Sequence, residues 1–156
     1  MKTNLYNIHF KDVPNGWAMC FNDNCAQHED CLRRITGELA ESEAPKENLK
    51  ALCVTPLAYR DGSCKLYAAL KKERMAWGFS HLYDQVLKIH YADIKDDITH
   101  SLRGRSNYYR YNNGERMLSE VQQQKIANIF RRYGYDCEPE FDHYEEHCLF
   151  VDKVDT

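Results

Sequence analysis

Apolar residues recur every three or four positions through much of the second half of the chain, and no such period runs through its first 31 residues. Leu66, Ala69 and Leu70, then Leu82, Val86 and Ile89, then Ile94, Ile98 and Leu102 have helical spacing and predict a mainly helical region over 66–135. Ser119 and Gln122 have the spacing of a capping box, and Val121, Ile126, Ile129, Phe130 and Tyr133 continue one face until Gly134 offers a stop. In the first half, Cys31 to Glu41 predicts a short helix with Leu32, Ile35 and Leu39 on one side, ended by the polar linker Glu41 to Glu47 with its Pro45. The apolar stretch Leu49 to Tyr59 follows, where Leu52-Cys53-Val54-Thr55 favours a strand, Pro56 confines it to an edge or end, and Arg60-Asp61-Gly62-Ser63 is a turn. Residues 1–31, rich in Asn, Asp, Gly and Cys, read as loops or short strands held by something other than apolar packing. The expected fold is α+β and mainly α, in three segments: a Cys-rich region over 1–65 with a short strand element, a helical region over 66–135, and an acidic segment over 136–156.

At 156 residues, with 43% hydrophobic and 29% charged side chains, the chain has the makings of one modest globular core. No apolar run approaches the ~20 residues of a membrane span, and Met1 to Asn7 lacks the pattern of a secretory signal, so the expected compartment is the cytoplasm. The net charge of -3 is unevenly spread, at -1 over residues 1–100, +5 over 101–135 and -7 over 136–156. A compact basic block calls for an anionic partner, with the acidic end as solvated surface or internal competitor.

That block holds Gly104-Arg105-Ser106-Asn107-Tyr108-Tyr109-Arg110-Tyr111-Asn112-Asn113-Gly114-Glu115-Arg116, where arginines alternate with aromatics and amides. Such a mixture suits phosphates and base edges. Ile94 to Leu102 predicts one short helix, Arg103-Gly104-Arg105 a break, and Ser106 the N-cap of a second helix reaching Asn112 or Asn113, which makes a helix-turn-helix candidate. In that unit Asn107 and Arg110 would reach base edges of double-stranded DNA, while Arg103, Arg105 and Arg116 would pair with phosphates. Tyr108 and Tyr109 cannot both face the core, so one packs against Ile98, Leu102 and Ile126 and the other is left for a phosphate or base.

The segment Gly104 to Arg116 resembles the recognition segment of the lambda-repressor-like helix-turn-helix regulators, matching it at Arg105, Ser106, Tyr109, Arg110, Asn113, Gly114 and Arg116. The Leu118-Ser119 that follows is also similar, and the resemblance covers about 93–133. It implies a transcriptional regulator that binds DNA without chemistry. The chain departs from that pattern at Thr99-His100-Ser101, where the family has a small alanine, and in the displaced glycine of Arg103-Gly104. The whole chain also resembles a family of short bacterial proteins with a Cys-rich amino-terminal part, a Gly-Arg-Ser-x-Tyr-Tyr-Arg segment and a closing Pro-x-Phe-Asp-x-Tyr, here Pro139, Phe141, Asp142 and Tyr144. This second resemblance implies no particular activity.

The seven cysteines, an odd number without an export signal, read as reduced thiols available to a metal. Cys20, Cys25, Cys31 and Cys64 make a four-thiolate candidate for structural zinc, with an iron-sulfur cluster as the alternative, although the x4 and x5 spacings are looser than zinc knuckles. His9 and His28 are substitute ligands, and Cys137, His143, His147 and Cys148 are a second set. Cys53 reads as a small, partly buried hydrophobe. No Gly-rich phosphate loop or nucleophile elbow occurs, so binding rather than catalysis is expected. The readings set against DNA binding are a redox or metal sensor and an interaction adaptor, the latter a homodimer through Leu82, Val86 and Ile89.

Overall fold

The computed structural model describes residues 7–48 and 50–151 and divides them into two compact units, which are taken one at a time. The expected α+β class holds: among the described residues, four α-helices accompany two small two-stranded sheets. Among the described residues, no helix is long and apolar enough to cross a membrane. The amino-terminal stretch up to Tyr6, Leu49 and the last acidic residues from Asp152 lie outside the described residues.

The first unit runs up to Lys72 and takes in the chain again from Cys148. Its one α-helix, α1 (Leu32–Glu43), follows the predicted face, with Leu32 and Ile35 buried among Ile8, Trp17, Met19 and Ala68. The polar run at Glu41 does not end it; it continues to Glu43 and stops ahead of Pro45, where the residue before proline is pushed out of the helical region. What holds the irregular segments is a buried arginine. Arg33, 3% exposed, donates from Nε to the Leu66 carbonyl (2.8 Å) and from Nη1 to the Ala18 carbonyl (2.9 Å), and its guanidinium lies 4.2 Å from the Trp17 ring centroid. The Trp17 indole N–H donates to Thr36 Oγ1 (3.2 Å), and its ring meets Phe150 edge-on.

The expected strand over Leu52 to Thr55 is reduced to a bridge between Met19 and Cys53, because only Met19 offers it a partner; Leu52 and Cys53 are exposed, which corrects the partly buried role expected of Cys53. The predicted turn closes a short hairpin of β1 (Tyr59–Arg60) and β2 (Ser63–Cys64), antiparallel, with Tyr59 opposite Cys64 and Arg60 opposite Ser63. Leu66, Ala69 and Leu70 are not helical. Ala68 and Ala69 serve the Cys31 end of α1 instead: the Leu32 amide donates to the Ala68 carbonyl, and Ala69 bridges Cys31.

The second unit, Glu73–His147, holds the rest. The chain enters it in a strand, β3 (Lys72–Trp77), paired with β4 (His143–Cys148) on one side and bridged to Leu118 through Ala76 on the other. Three helices follow: α2 (Lys88–Ser101), α3 (Arg105–Asn112) and α4 (Glu120–Arg132). Leu82 and Val86 lie ahead of α2, Leu82 buried in the core and Val86 packed against it, so they do not form a helical face with Ile89, which is 76% exposed. The capping box opens α4 as read from the sequence, with the Gln122 amide donating to Ser119 Oγ and the Ser119 amide to Gln122 Oε1. Ile94, Ile98, Leu118 and Ile126 are fully buried at the centre of this unit.

Helices α2 and α4 end in the same motif, closed by an amide two residues past the cap. Gly104 N–H reaches Thr99 O and Arg103 N–H reaches His100 O after α2; Tyr135 N–H reaches Phe130 O and Gly134 N–H reaches Arg131 O after α4. The left-handed position is filled by Gly134 (φ 87°) in one and by Arg103 (φ 64°) in the other. Left-handed backbone costs a residue with a side chain about 1–2 kcal/mol, and glycine gives back about half of that in the unfolded chain. Arg103→Gly is therefore expected to stabilise the unit by about 0.5–1 kcal/mol in urea unfolding; a loss of stability would mean that the Arg103 side chain contributes packing.

Candidate nucleic-acid interface

Helix α3 begins two residues earlier than the sequence suggested. Gly104, not Ser106, is its N-cap residue, because the left-handed Arg103 already reverses the chain, and this frees the Ser106 hydroxyl for the surface. Tyr108 (5% exposed) and Tyr111 (8%) lock the inner face into the core. The Tyr108 hydroxyl pairs with that of Tyr83 (2.9 Å), and the Tyr111 hydroxyl accepts from Gln122 Nε2 (3.0 Å). Burial, with that mutual hydrogen bond, pushes the Tyr83 phenol far up, so the pair stays protonated. At the far end, Asn112 Oδ1 accepts the Phe79 amide (2.8 Å), and the Tyr111 carbonyl accepts the Gly78 amide.

With that inner face fixed, the helical period turns Arg105, Ser106, Tyr109, Arg110 and Asn113 outward as one stripe, and all five are exposed. Arg105 lies over the Tyr109 ring, 5.8 Å from its centroid, and Arg110 Nε stands 3.9 Å from Glu115 Oε2 in an open ion pair. Arg103 and Arg116 are exposed at the two ends, the Arg116 amide being tied to the Arg110 carbonyl. Of the expected contact residues, Tyr108 is corrected to a core residue, and Asn107 sits half-buried off the stripe. Ser106 and Asn113, which the sequence reading left out, also lie on the stripe; counting the helix outward from Arg105 finds both.

The loop before α2 is held by Asp142, whose carboxylate accepts the Ser80 amide (3.0 Å) while its own amide donates to the Gly78 carbonyl (3.1 Å). Burial works to raise this carboxyl, but the hydrogen bonds from Ser80 and His81 and the nearby His81 charge outweigh it and hold it below the usual aspartate range. Phe141 enters the core beside it, and the Phe141 amide donates to the Tyr144 hydroxyl. The closing Pro-x-Phe-Asp-x-Tyr segment is thus a clasp on the loop that carries Phe79. A family model described as a family of unknown function, DUF6078, matches residues 1–150. The chain belongs to the DUF6078 family. No curated protein and no solved structure matches it.

Among the described residues, the ion pairs of this DUF6078 chain do not join the stripe to its acidic segment. Arg110 faces Glu115, whereas Glu138 pairs with Arg131 on α4 (3.2 Å). Among the described residues, Arg103, Arg105 and Arg116 make no ion pair. The outer side of α2 is acidic, with Asp93 and Asp96 exposed and Asp97 engaged by Tyr133 and Arg132. Lys95 on α2 is the exception: its Nζ donates to the Tyr91 hydroxyl (3.4 Å), and that contact holds the ammonium charged to higher pH than an ordinary lysine against some burial.

The cysteines of this DUF6078 chain are dispersed. Cys31 is buried at the cap of α1, Cys64 stands on the hairpin, the Cys20 amide donates to the Arg33 carbonyl, and the Cys25 carbonyl faces His28 Nδ1 at 2.7 Å. Among the described residues, no three His, Cys, Asp or Glu side chains form a group that would hold a metal ion. The expected set of Cys20, Cys25, Cys31 and Cys64 is therefore not gathered into the tetrahedral arrangement that zinc or a cluster takes. In the second set, His143 stacks on Trp77 (5.0 Å), His147 pairs with Glu145 (3.2 Å), and Cys137 is exposed.

Proposed function

We propose that the protein binds double-stranded DNA without chemistry, with α2 and α3 acting as a helix-turn-helix and α3 entering the major groove. The observation that carries this reading is the exposed stripe of Arg105, Ser106, Tyr109, Arg110 and Asn113 on a helix whose opposite face is anchored by Tyr108 and Tyr111. A rigid helix presenting two arginines, an amide, a hydroxyl and an aromatic side chain suits a groove in which arginine reads guanine and asparagine reads adenine. Arg103 and Arg116, both exposed, lie on either side of the stripe in sequence and are the residues proposed to meet phosphates. The acidic outer side of α2 keeps the phosphate backbone away from Asp93 and Asp96, so the duplex approaches along the Arg105 and Arg110 side.

The test is to add a mixed-sequence duplex to isotopically labelled protein and follow the backbone amide resonances. Shifts concentrated over residues 103–116 are expected. Shifts confined to other helices, or none at low salt, would remove the reading and leave a protein partner as the alternative; exposed Leu87 (61%) and Ile89 (76%) at the start of α2 favour that one.

A further inference from the structure

Beside the stripe, α2, α3 and the loop after β3 enclose a groove of about 430 Å³, the size range of small-molecule sites. Its walls are aromatic: Tyr91 and Tyr109 are exposed at the rim, while Phe79, Tyr83 and Tyr108 lie deeper. The Tyr83 and Tyr91 rings meet edge-on at 5.1 Å, and Tyr108 and Tyr109 meet edge-on at 5.6 Å. One cation stands among them. Lys95 Nζ is 5.6 Å from the Tyr91 ring centroid and 5.7 Å from that of Tyr108, and among the described residues its one hydrogen bond is to the Tyr91 hydroxyl. An ammonium has three donors, so Lys95 keeps donors for a ligand. Asn112 also lines the groove; its Oδ1 is committed to the Phe79 amide, which fixes the orientation of the group and leaves the amide nitrogen as a donor. Arg105, outside the lining itself, lies over the ring of the rim residue Tyr109 and is a second cation next to the groove.

The acidic group of the groove is Asp84, paired with His81 at 2.9 Å. Cationic donors thus accompany aromatic walls, and one acceptor stands with them. A planar ring carrying both an anionic group and N–H donors answers all three.

We propose that this groove binds a nucleotide, its base stacked on Tyr91 and Tyr109 and its phosphate held by Lys95 and Arg105. Stacking on tyrosine tolerates any base, and the phosphate supplies the charge that fixes orientation. The occupant has two sources, a free nucleoside monophosphate or one unpaired nucleotide of a strand lying on α3. The first source does not depend on the duplex reading; the second rests on it.

The experiment titrates the full chain with adenosine 5′-monophosphate, with inorganic phosphate as control, observing the tyrosine ring resonances. It then compares a perfect duplex with one carrying a single unpaired adenine. The variants are Lys95→Gln and Tyr91→Ala, both at exposed or half-exposed positions, with an unchanged melting temperature as the check on folding. Binding of the monophosphate, weakened roughly tenfold or more in either variant, supports the free ligand. No binding of the monophosphate, but a preference for the unpaired adenine that both variants abolish, supports the strand source. Monophosphate binding unaffected by the variants, or neither binding nor preference, overturns the proposal. Binding of the perfect duplex is scored separately, so the α3 interface stands or falls on its own.

Discussion

Gly37→Ala is expected to destabilise the first unit by about 3 kcal/mol or more, the upper end of overpacking costs. Gly37 lies inside α1 with ordinary helical backbone, where alanine alone would gain about 0.5–1 kcal/mol in propensity. The opposite outcome is expected because an added Cβ would collide with the Cys20 carbonyl oxygen and stand 3.0 Å from its carbon. Those are main-chain atoms, and they cannot swing aside as a side chain can. The Cys20 amide is itself bonded to the Arg33 carbonyl at 2.8 Å, so displacing it releases the loop from the helix. Urea unfolding of the variant checks this; a gain in stability would show that the approach of residue 20 to α1 is looser than described.

The second large effect is expected at Arg33. Arg33→Ala removes two charge-assisted hydrogen bonds to the Leu66 and Ala18 carbonyls and the cation over Trp17. Hydrogen bonds to a charged donor contribute about 1.5–3 kcal/mol each, and two half-buried carbonyls lose their partner, so a loss of about 3–5 kcal/mol is expected. Arg33→Met restores the apolar stem without the donors and should recover only part of it. Amide hydrogen exchange across α1 reads the effect; a cost below about 1 kcal/mol, as for a surface arginine, would mean that the loops are held by other means.

These two sites mark where the sequence could be read and where it could not. The two ends of helix α4 were legible, because Ser119, Gln122 and Gly134 are local signals that act within one turn, whereas Val121, expected on its apolar face, is 63% exposed. The face of α1 was legible for the same reason, but not the burial of Arg33 next to Leu32, since composition places arginine in solvent, whereas here it meets carbonyls distant in sequence. Strand β3 was missed: Lys72 to Trp77 has no clear alternation, and its partners are Leu118 and the strand from His143, more than 40 residues away. The cysteine spacing was legible as chemistry, yet whether thiols converge depends on long-range packing, and here Cys31 is committed to the cap of α1 and Cys64 to a hairpin. At α3 the sequence indicated the helix and most of the exposed residues. It misplaced the start because the left-handed Arg103 is an exception that residue type does not announce.

Fluorescence anisotropy of a mixed-sequence duplex against salt concentration tests the α3 interface most directly, with the full chain and an Arg105→Ala, Arg110→Ala double variant. Both guanidinium groups are exposed, so the variant should fold as the parent does. Each phosphate neutralised contributes about 0.9 to the slope of log affinity on log salt. The expected result is steep salt dependence for the full chain, with a slope shallower by about 2 in the variant if both arginines meet phosphate, or by about 1 with altered sequence preference if Arg110 reads a base. Equal slopes for the two proteins, or no binding at low salt, would contradict the interface.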